Sequence, residues 1–330
     1  MREFTIGKHD AGQRLDRFVS KNLPLLPPAR RQKYIRLTRI KVNGRGSQRD
    51  VRLCAGDVIQ LYINDEFFDK PTEENLFLSV FRPQLSIVYE DENLLLADKR
   101  PGQVVHADET EKVNTLINHI QAYLYQKKEW SPRDEHAFAP ALCNRIDRNT
   151  GGIVIAAKNA ETLRILNEKI RAHEVEKSYL CITVGAPRPA AGRVEGFLLK
   201  DEAKKQVSFY RRPVPGGKSA VTLYRTLAVR DGLALVECRL LTGRTHQIRV
   251  SMAELGCPLL GDGKYGNGAV NRKYREARQA LYSYRLSFPF PTDAGLLEYL
   301  RGQTFSVADI PFLERYFSGE KIPEKLAKPW

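Results

Sequence analysis

The apolar runs in this chain are strand-length, and that limits what it can fold into. Ile87–Tyr89, Leu94–Ala97, Ile153–Ala157, Tyr179–Val184, Ala234–Cys238 and Gln247–Val250 each fit one β-strand. All fall far short of the roughly 20 residues that a membrane-spanning helix requires. Helical periodicity appears between them, over Thr115–Lys127 and Ala160–Ala172. Strands and helices mix without strict βαβ alternation, which predicts an α+β domain: a mixed, largely antiparallel sheet with flanking helices. No period of about 20–50 residues suggests a repeat array.

Residues 1–66 read as a separate, small α/β unit. Arg14-Leu15-Asp16-Arg17-Phe18-Val19 opens a helix with Leu15, Phe18 and Val19 on one face, and Pro24, Pro27 and Pro28 end it. A second helix is expected over Ala29–Leu37. It is followed by a strand at Ile40–Val42, a turn at Asn43-Gly44 and a strand at Val58–Ile63 entered through Gly56-Asp57. Residues 67–84, with Pro71, Pro83 and the acids Asp69, Glu73 and Glu74, read as a linker. The domain division expected is therefore 1–66, 67–84 and 85–330. From about Arg301 the chain reads as a helical extension and tail.

Charge narrows the partner. The chain carries 53 Lys+Arg against 39 Asp+Glu, a formal charge of +14. Residues 1–66 hold fourteen Lys+Arg and seven Asp+Glu, so half of the excess sits in a fifth of the chain. Arg30, Arg31, Lys33, Arg36 and Arg39 crowd the second helix and its end. Like charges at i,i+4 repel, so an anionic partner such as RNA phosphate is the expected compensation. A basic face that is merely solvated is the plainer reading. Lys41 extends the same patch. The five cysteines form no C-x-x-C pair, which speaks against a zinc knuckle or a disulfide framework and fits reduced thiols in the cytoplasm.

Three clusters carry possible chemistry. In the first, Asn144-Arg145-Ile146-Asp147-Arg148-Asn149-Thr150-Gly151-Gly152 runs into Ile153–Ala157. A carboxylate flanked by Arg145 and Arg148 is favoured in its ionised form, able to act as nucleophile or base, although an ion-paired turn aspartate would look the same. In the second, Leu241-Thr242-Gly243-Arg244-Thr245-His246-Gln247-Ile248-Arg249-Val250 is followed by Gly261-Asp262-Gly263-Lys264-Tyr265. Read as a strand, Gln247–Val250 would put Gln247 and Arg249 on one face. His246 fits a hydrogen-bonded structural histidine better than a base. In the third, Lys177-Ser178-Tyr179 offers a flat ring on which a base could stack, though an ordinary core tyrosine is equally consistent.

Together these clusters resemble the RluA-type pseudouridine synthases. Arg145-Ile146-Asp147-Arg148 with Thr150-Gly151-Gly152 is similar to the family's catalytic motif, and Gly243–Val250 to its second signature. Lys177-x-Tyr179, Lys99-x-Pro101-Gly102 with His106, and Gly217–Thr222 fit lesser ones. Three positions depart from the family's usual residues: Asn144 stands for His, Gly151 for Ser and Ser251 for His. Residues 10–63 resemble the S-four-type RNA-binding domain through Gly12-Gln13-Arg14-Leu15-Asp16, Lys41-Val42-Asn43-Gly44 and Ala55–Ile59.

The resemblance implies isomerisation of uridine to pseudouridine in structured RNA, with large-subunit (23S) ribosomal RNA the expected substrate and transfer RNA the alternative. It implies Asp147 as the catalytic carboxylate, Tyr179 stacked under the uracil, and Arg249 paired with Asp147. Arg145, Arg148, Arg244, His246, Arg30, Arg31, Lys33, Arg36 and Lys41 are expected to contact RNA. No cofactor or metal is expected, nor a membrane or DNA partner, and monomer is the default state. A non-enzymatic ribosomal RNA-binding or assembly protein is the competing class. A methyltransferase would need a Gly-rich cofactor loop after its first strand, and a metal nuclease clustered acids; the sequence offers neither.

Overall fold

The structure, a computed structural model, describes residues 1–7, 11–72, 74–132, 138–320 and 326. Glu73 and most of the terminal tail therefore lie outside the described residues. The chain divides into two compact units, one of residues 1–84 with 106–136 and one of residues 85–105 with 137–330.

In the first unit, β1 (Arg2–Thr5), β2 (Ile40–Val42), β3 (Arg45–Gly46) and β4 (Val58–Leu61) form an antiparallel sheet in the order β1-β4-β2-β3. The β2–β3 turn is the expected Asn43-Gly44, both residues at positive φ, the backbone a tight hairpin between twisted strands requires. Helix α1 (Leu15–Asn22) buries Leu15, Phe18 and Val19, and α2 (Pro28–Arg36) begins on a proline whose missing N–H costs nothing there. Arg31 does not face solvent as the sequence suggested. It donates to the Leu26 carbonyl (2.6 Å) and to Ser20 Oγ (2.5 Å), fastening α2 to α1. Arg30 lies over the rings of Phe67 and Phe81, and Lys41 over Tyr62. Lys33, Arg36 and Arg39 remain exposed.

The stretch 67–84 is more than a connection. Phe67, Phe77, Leu78 and Val80 are buried, and 3-10 turns form at Asp65–Phe68 and Leu76–Ser79. Their partner is α3 (Leu116–Lys127), which the sequence assigned to the second domain. Phe77 packs its ring against Tyr125 and Trp130, while Gln126 donates to the carbonyls of Val80 and Phe81. Aromatic burial, invisible as a period in a short irregular segment, is what moves this boundary.

The second unit is α+β. Its strands are β5 (Ile87–Glu90), β6 (Leu94–Lys99), β7 (Ala141–Leu142), β8 (Gly151–Ala157), β9 (Glu176–Val184), β10 (Ala191–Asp201), β11 (Gln206–Tyr210), β12 (Lys218–Arg230), β13 (Leu233–Leu240), β14 (Leu281–Ser287) and β15 (Thr304–Ser306). The main path runs β11-β10-β12-β13-β9-β14-β8-β6-β5, with β7 beside β8 and β15 beside β14. Every pairing is antiparallel except β14 with β8. Helices α4 (Ala160–Arg171), α5 (Gln247–Glu254), α6 (Gly268–Tyr274) and α7 (Pro311–Phe317) complete the unit. The tail expected to be helical thus begins with a short strand, since Arg285–Ser287 have lost β8 as a neighbour and pair with Thr304–Ser306 instead. Among the described residues no helix is long and apolar enough to cross a membrane.

The parallel joint is only two residue pairs long, Tyr282 opposite Gly151 and Ser283 opposite Gly152. The glycines allow it. A Cβ on Gly151 would stand 2.3 Å from the Tyr282 ring, and one on Gly152 would stand 2.2 Å from the Ser283 carbonyl oxygen. The serine usual in this family at position 151 therefore has no room beside Tyr282.

Gln247–Glu254 is a helix rather than the strand its Ile-x-Val pattern predicts. Gln247 folds back to accept from the Arg244 N–H (3.0 Å) and the Thr242 hydroxyl (2.8 Å), while its amide donates to the Val221 carbonyl (3.0 Å). Those bonds turn the chain at the helix entry. Ile248 and Met252, four apart, then enter one apolar cluster with Tyr179, Cys181 and Val236, and Val250 enters another with Leu198 and Val207. Buried on several sides, the helix lacks a polar face, so its 3.6-residue period is masked.

Gly152→Ala, at φ +113° and against backbone, is expected to destabilise the protein by about 3 kcal/mol. A thermal unfolding midpoint unchanged from the parent would contradict this account of the joint.

Candidate active site

The joint delivers the chain into the site. Residues 143–150, between β7 and β8, form a loop anchored at several points. Cys143 N–H donates to the Ile155 carbonyl, and Asn144 Oδ1 accepts from Ile155 N–H, both at 2.8 Å. Asn144 therefore supplies, in the usual histidine's place, an acceptor aimed at the strand edge. The Arg148 carbonyl accepts from Gly102 N–H (2.8 Å) and from the Lys99 ammonium (2.9 Å). Lys99 is fully buried and also donates to the carbonyls of Arg100 (3.0 Å) and Gln103 (2.8 Å). Burial pushes this ammonium down to about 7, with Asp147 and Asp98 pulling it back up.

From that loop Asp147 projects with 28% of its side chain exposed. Its Oδ2 accepts from Arg249 Nη1 at 2.8 Å. Arg249 is itself gripped from behind: Nε donates to Asp262 Oδ2 (2.7 Å) and Nη2 to Asp262 Oδ1 (2.9 Å). A bidentate guanidinium–carboxylate pair fixes the plane of the arginine, so its remaining nitrogen can point only one way. Asp262 is 1% exposed, and backbone N–H groups of Lys264 and Tyr265 also donate to it. Burial alone would raise the Asp262 carboxyl, but Arg249 outweighs it and the group lies below its usual range. Burial likewise opposes the Arg249 charge, and the two aspartates more than restore it. Removing one member of such a buried pair costs about 3–5 kcal/mol.

Tyr179 sits on β9 opposite Cys238 and Ser283, 6% exposed. Burial pushes its phenol up to about 12, and the nearby Asp147 charge adds to the shift, so the hydroxyl keeps its proton. His246 enters α5 in the left-handed backbone region, φ 55°, a conformation that costs a residue with a side chain about 1 kcal/mol. In exchange its ring reaches the site: Nε2 lies 3.8 Å from Asp147 Oδ2, and Nδ1 lies 2.8 Å from the Tyr265 hydroxyl. Burial pushes His246 down to about 4.

Asp147, Arg249, His246 and Tyr179, expected from the sequence, thus converge in one unit. Arg145 and Arg148 are exposed on the same loop as Asp147. Arg244 is half-buried and donates to the Ser219 carbonyl (3.0 Å). Arg30, Arg31, Lys33, Arg36 and Lys41 belong to the other unit. Sequence reasoning missed Asp262 and Tyr265, although an acid between two glycines, Gly261-Asp262-Gly263, is the signal that could have found the first. It placed Lys99 in a motif without a role.

Known proteins resemble this chain over most of its length. Residues 93–254 match the family model described as RNA pseudouridylate synthase. An RNA pseudouridine synthase of Mycoplasma genitalium is 31% identical over 87% of this chain and 89% of its own length. Ribosomal large subunit pseudouridine synthase D of Neisseria meningitidis is 32% identical over 85% of this chain and 73% of its own. The solved structure of human RNA pseudouridylate synthase domain containing 4 superposes with a TM-score of 0.54 at 26% identity, covering 70% of this chain and 92% of that one. The chain belongs to the RNA pseudouridine synthase family. It is an isomerase that converts uridine to pseudouridine.

A lowered His246 pKa fixes a sign for stability. Between about 4 and the ordinary value near 6.5 the unfolded chain binds a proton that the folded chain refuses. His246 therefore contributes a loss of stability as pH falls through that window and nothing above it. Its ring resonances, followed by NMR, should show no protonation until well below pH 6; a midpoint near 6.5 would refute the environment described.

Proposed function

We propose that this protein acts on large-subunit ribosomal RNA in the cytoplasm, as a monomer, with Asp147 as the carboxylate that attacks or deprotonates the target nucleotide. The observation that carries the reading is the hydrogen-bonded chain Asp262–Arg249–Asp147 beside Tyr179. Arg249 holds the Asp147 carboxylate at a fixed angle while leaving its other oxygen for the substrate. Tyr179, kept neutral, presents a ring face for the uracil. The names of relatives, among them the N. meningitidis enzyme, support the ribosomal substrate.

The reaction breaks the glycosidic N–C bond, turns the uracil and rejoins it through carbon, so no outside group is consumed. A uridine within a fold must first be flipped out, at a cost of a few kcal/mol. Arg145, exposed two residues before Asp147, occupies the vacated stack in this reading, while Arg148 and Arg244 meet phosphates. The first unit serves as the RNA grip, in keeping with its resemblance to the S-four-type domain. Its outward cations Lys33, Arg36 and Arg39 carry that role, Arg30 and Lys41 contribute from their aromatic seats, and Arg31 supports them from within.

Pseudouridine mapping of cellular RNA from cells carrying the wild-type gene, a deletion and Asp147→Ala tests the reading. The same large-subunit sites should be lost in the deletion and in Asp147→Ala. Sites retained with Asp147→Ala would remove the carboxylate from its role, and losses confined to transfer RNA would redirect the substrate. For the grip, Lys33→Glu with Arg36→Glu should weaken RNA binding about tenfold or more and reduce the slope of log K against log salt by roughly 0.7–0.9 per lost phosphate contact. An unchanged slope would place the RNA elsewhere.

A further inference from the structure

Tyr265, the neighbour of His246 and Asp262, is engaged on every side. Its hydroxyl accepts from the Val207 N–H of β11 (2.8 Å) and meets His246 Nδ1 (2.8 Å). Its ring lies edge-on to the imidazole, with centroids 5.6 Å apart, and carries the Arg249 guanidinium 5.1 Å above its face. Its backbone N–H is bound by Asp262 (3.1 Å). One residue thus touches the edge strand, the histidine, the arginine and the buried aspartate behind it.

These contacts decide which nitrogen of His246 bears the proton. If Nδ1 carried it, Nδ1 would donate to the phenol oxygen, which already accepts from Val207. The phenol's own O–H would then have no acceptor among the described residues, a costly outcome for a half-buried donor. That tautomer would also turn the Nε2 lone pair toward the Asp147 carboxylate 3.8 Å away. With the proton on Nε2 both conflicts vanish: Tyr265 donates to Nδ1, and Nε2–H faces the carboxylate side.

We propose that Tyr265 is a positioning residue that locks His246 in its Nε2–H form, making this ring a neutral hydrogen-bond donor to an oxygen of the target nucleotide beside Asp147. The inference rests on the reading of Asp147 as the site's carboxylate. The separation of 3.8 Å is too long for a direct hydrogen bond, and Asp147 Oδ2 is already served by Arg249, so the Nε2–H is left for the substrate. A uracil or ribose oxygen is the chemistry that fits. As the glycosidic bond breaks, negative charge spreads onto the uracil oxygens, and a fixed donor stabilises it without giving up a proton. The charged groups around the ring are Asp147 and Asp262 on one side of the balance and Arg249 and Lys264 on the other, and burial keeps the imidazole neutral among them.

The test is nitrogen NMR of histidine-labelled full-length protein, with kinetics on an RNA substrate. Wild type should show the pyrrole-type signal at Nε2 of His246 and the pyridine-type signal at Nδ1. Tyr265→Phe should mix the tautomers and lower kcat about tenfold with KM for RNA unchanged. His246→Gln, whose amide can present an N–H near the Nε2 position, should recover part of what His246→Ala loses. A proton found on Nδ1 in wild type overturns the proposal without any variant, and so does Tyr265→Phe with wild-type tautomer and kcat. An active Asp147→Ala would instead bring down the reading beneath it; an inactive Asp147→Ala with an unaffected Tyr265→Phe would bring down only this inference.

Discussion

The second unit depends on one close approach, between β8 and β14 at Gly151 and Gly152. On one side of this joint lie β8, β6 and β5; on the other lie β14, β9, β13, β12, β10 and β11. Asp147 arrives from the first side, four residues before the joint. Tyr179 and its strand belong to the second, with Ser283 of the joint hydrogen-bonded to Tyr179. Two residues without side chains therefore set the distance between a carboxylate and an aromatic ring that come from different parts of the sheet.

The electrostatics follow from that distance. A guanidinium as buried as Arg249 is costly unless its charge is matched on more than one side. Asp262 matches it completely from behind, with backbone N–H groups satisfying the rest of that carboxylate. Asp147 is the second counter-charge and the only one of the three with substantial exposure. The design separates two tasks: one aspartate is spent on holding the arginine, and the other is held by it and left open. Lys99 performs a related task for the loop, where a single buried ammonium draws together the carbonyls of Arg100, Gln103 and Arg148.

How much of this was legible in the sequence follows from range. Short-range signals were readable: the Asn43-Gly44 turn, the helices near Leu15, Ala160 and Leu116, and the apolar strands 153–157 and 179–184. The family resemblance carried by the motifs also singled out Asp147, Tyr179 and Arg249, and the fold brings the three together. Features set by distant packing were not readable. Ile248 and Val250 suggested a strand, and only the Gln247 bonds to residues 221–244 make it a helix. Arg31 looked like another surface cation until Leu26 and Ser20 claimed it. Phe77 and Trp130 lie 53 residues apart, and their contact redraws the domain boundary. Asp262 and Tyr265 stood in plain view, but an acid and a phenol acquire roles only through partners that the fold brings to them.

The joint has a consequence for the order in which the enzyme comes into being. Chains emerge from the ribosome N-terminus first, and contacts between distant segments close last. By the time residue 265 has been made, Tyr179, Asp147, Arg249, Asp262 and Tyr265 all exist. The strand that lies against both β9 and β8 does not, because it begins at Leu281. Until it arrives, the half-sheet carrying Tyr179 and the loop carrying Asp147 have no common edge. A growing chain thus holds every part of its site for a time without holding the site, and activity toward RNA is deferred until synthesis of the sheet is essentially complete.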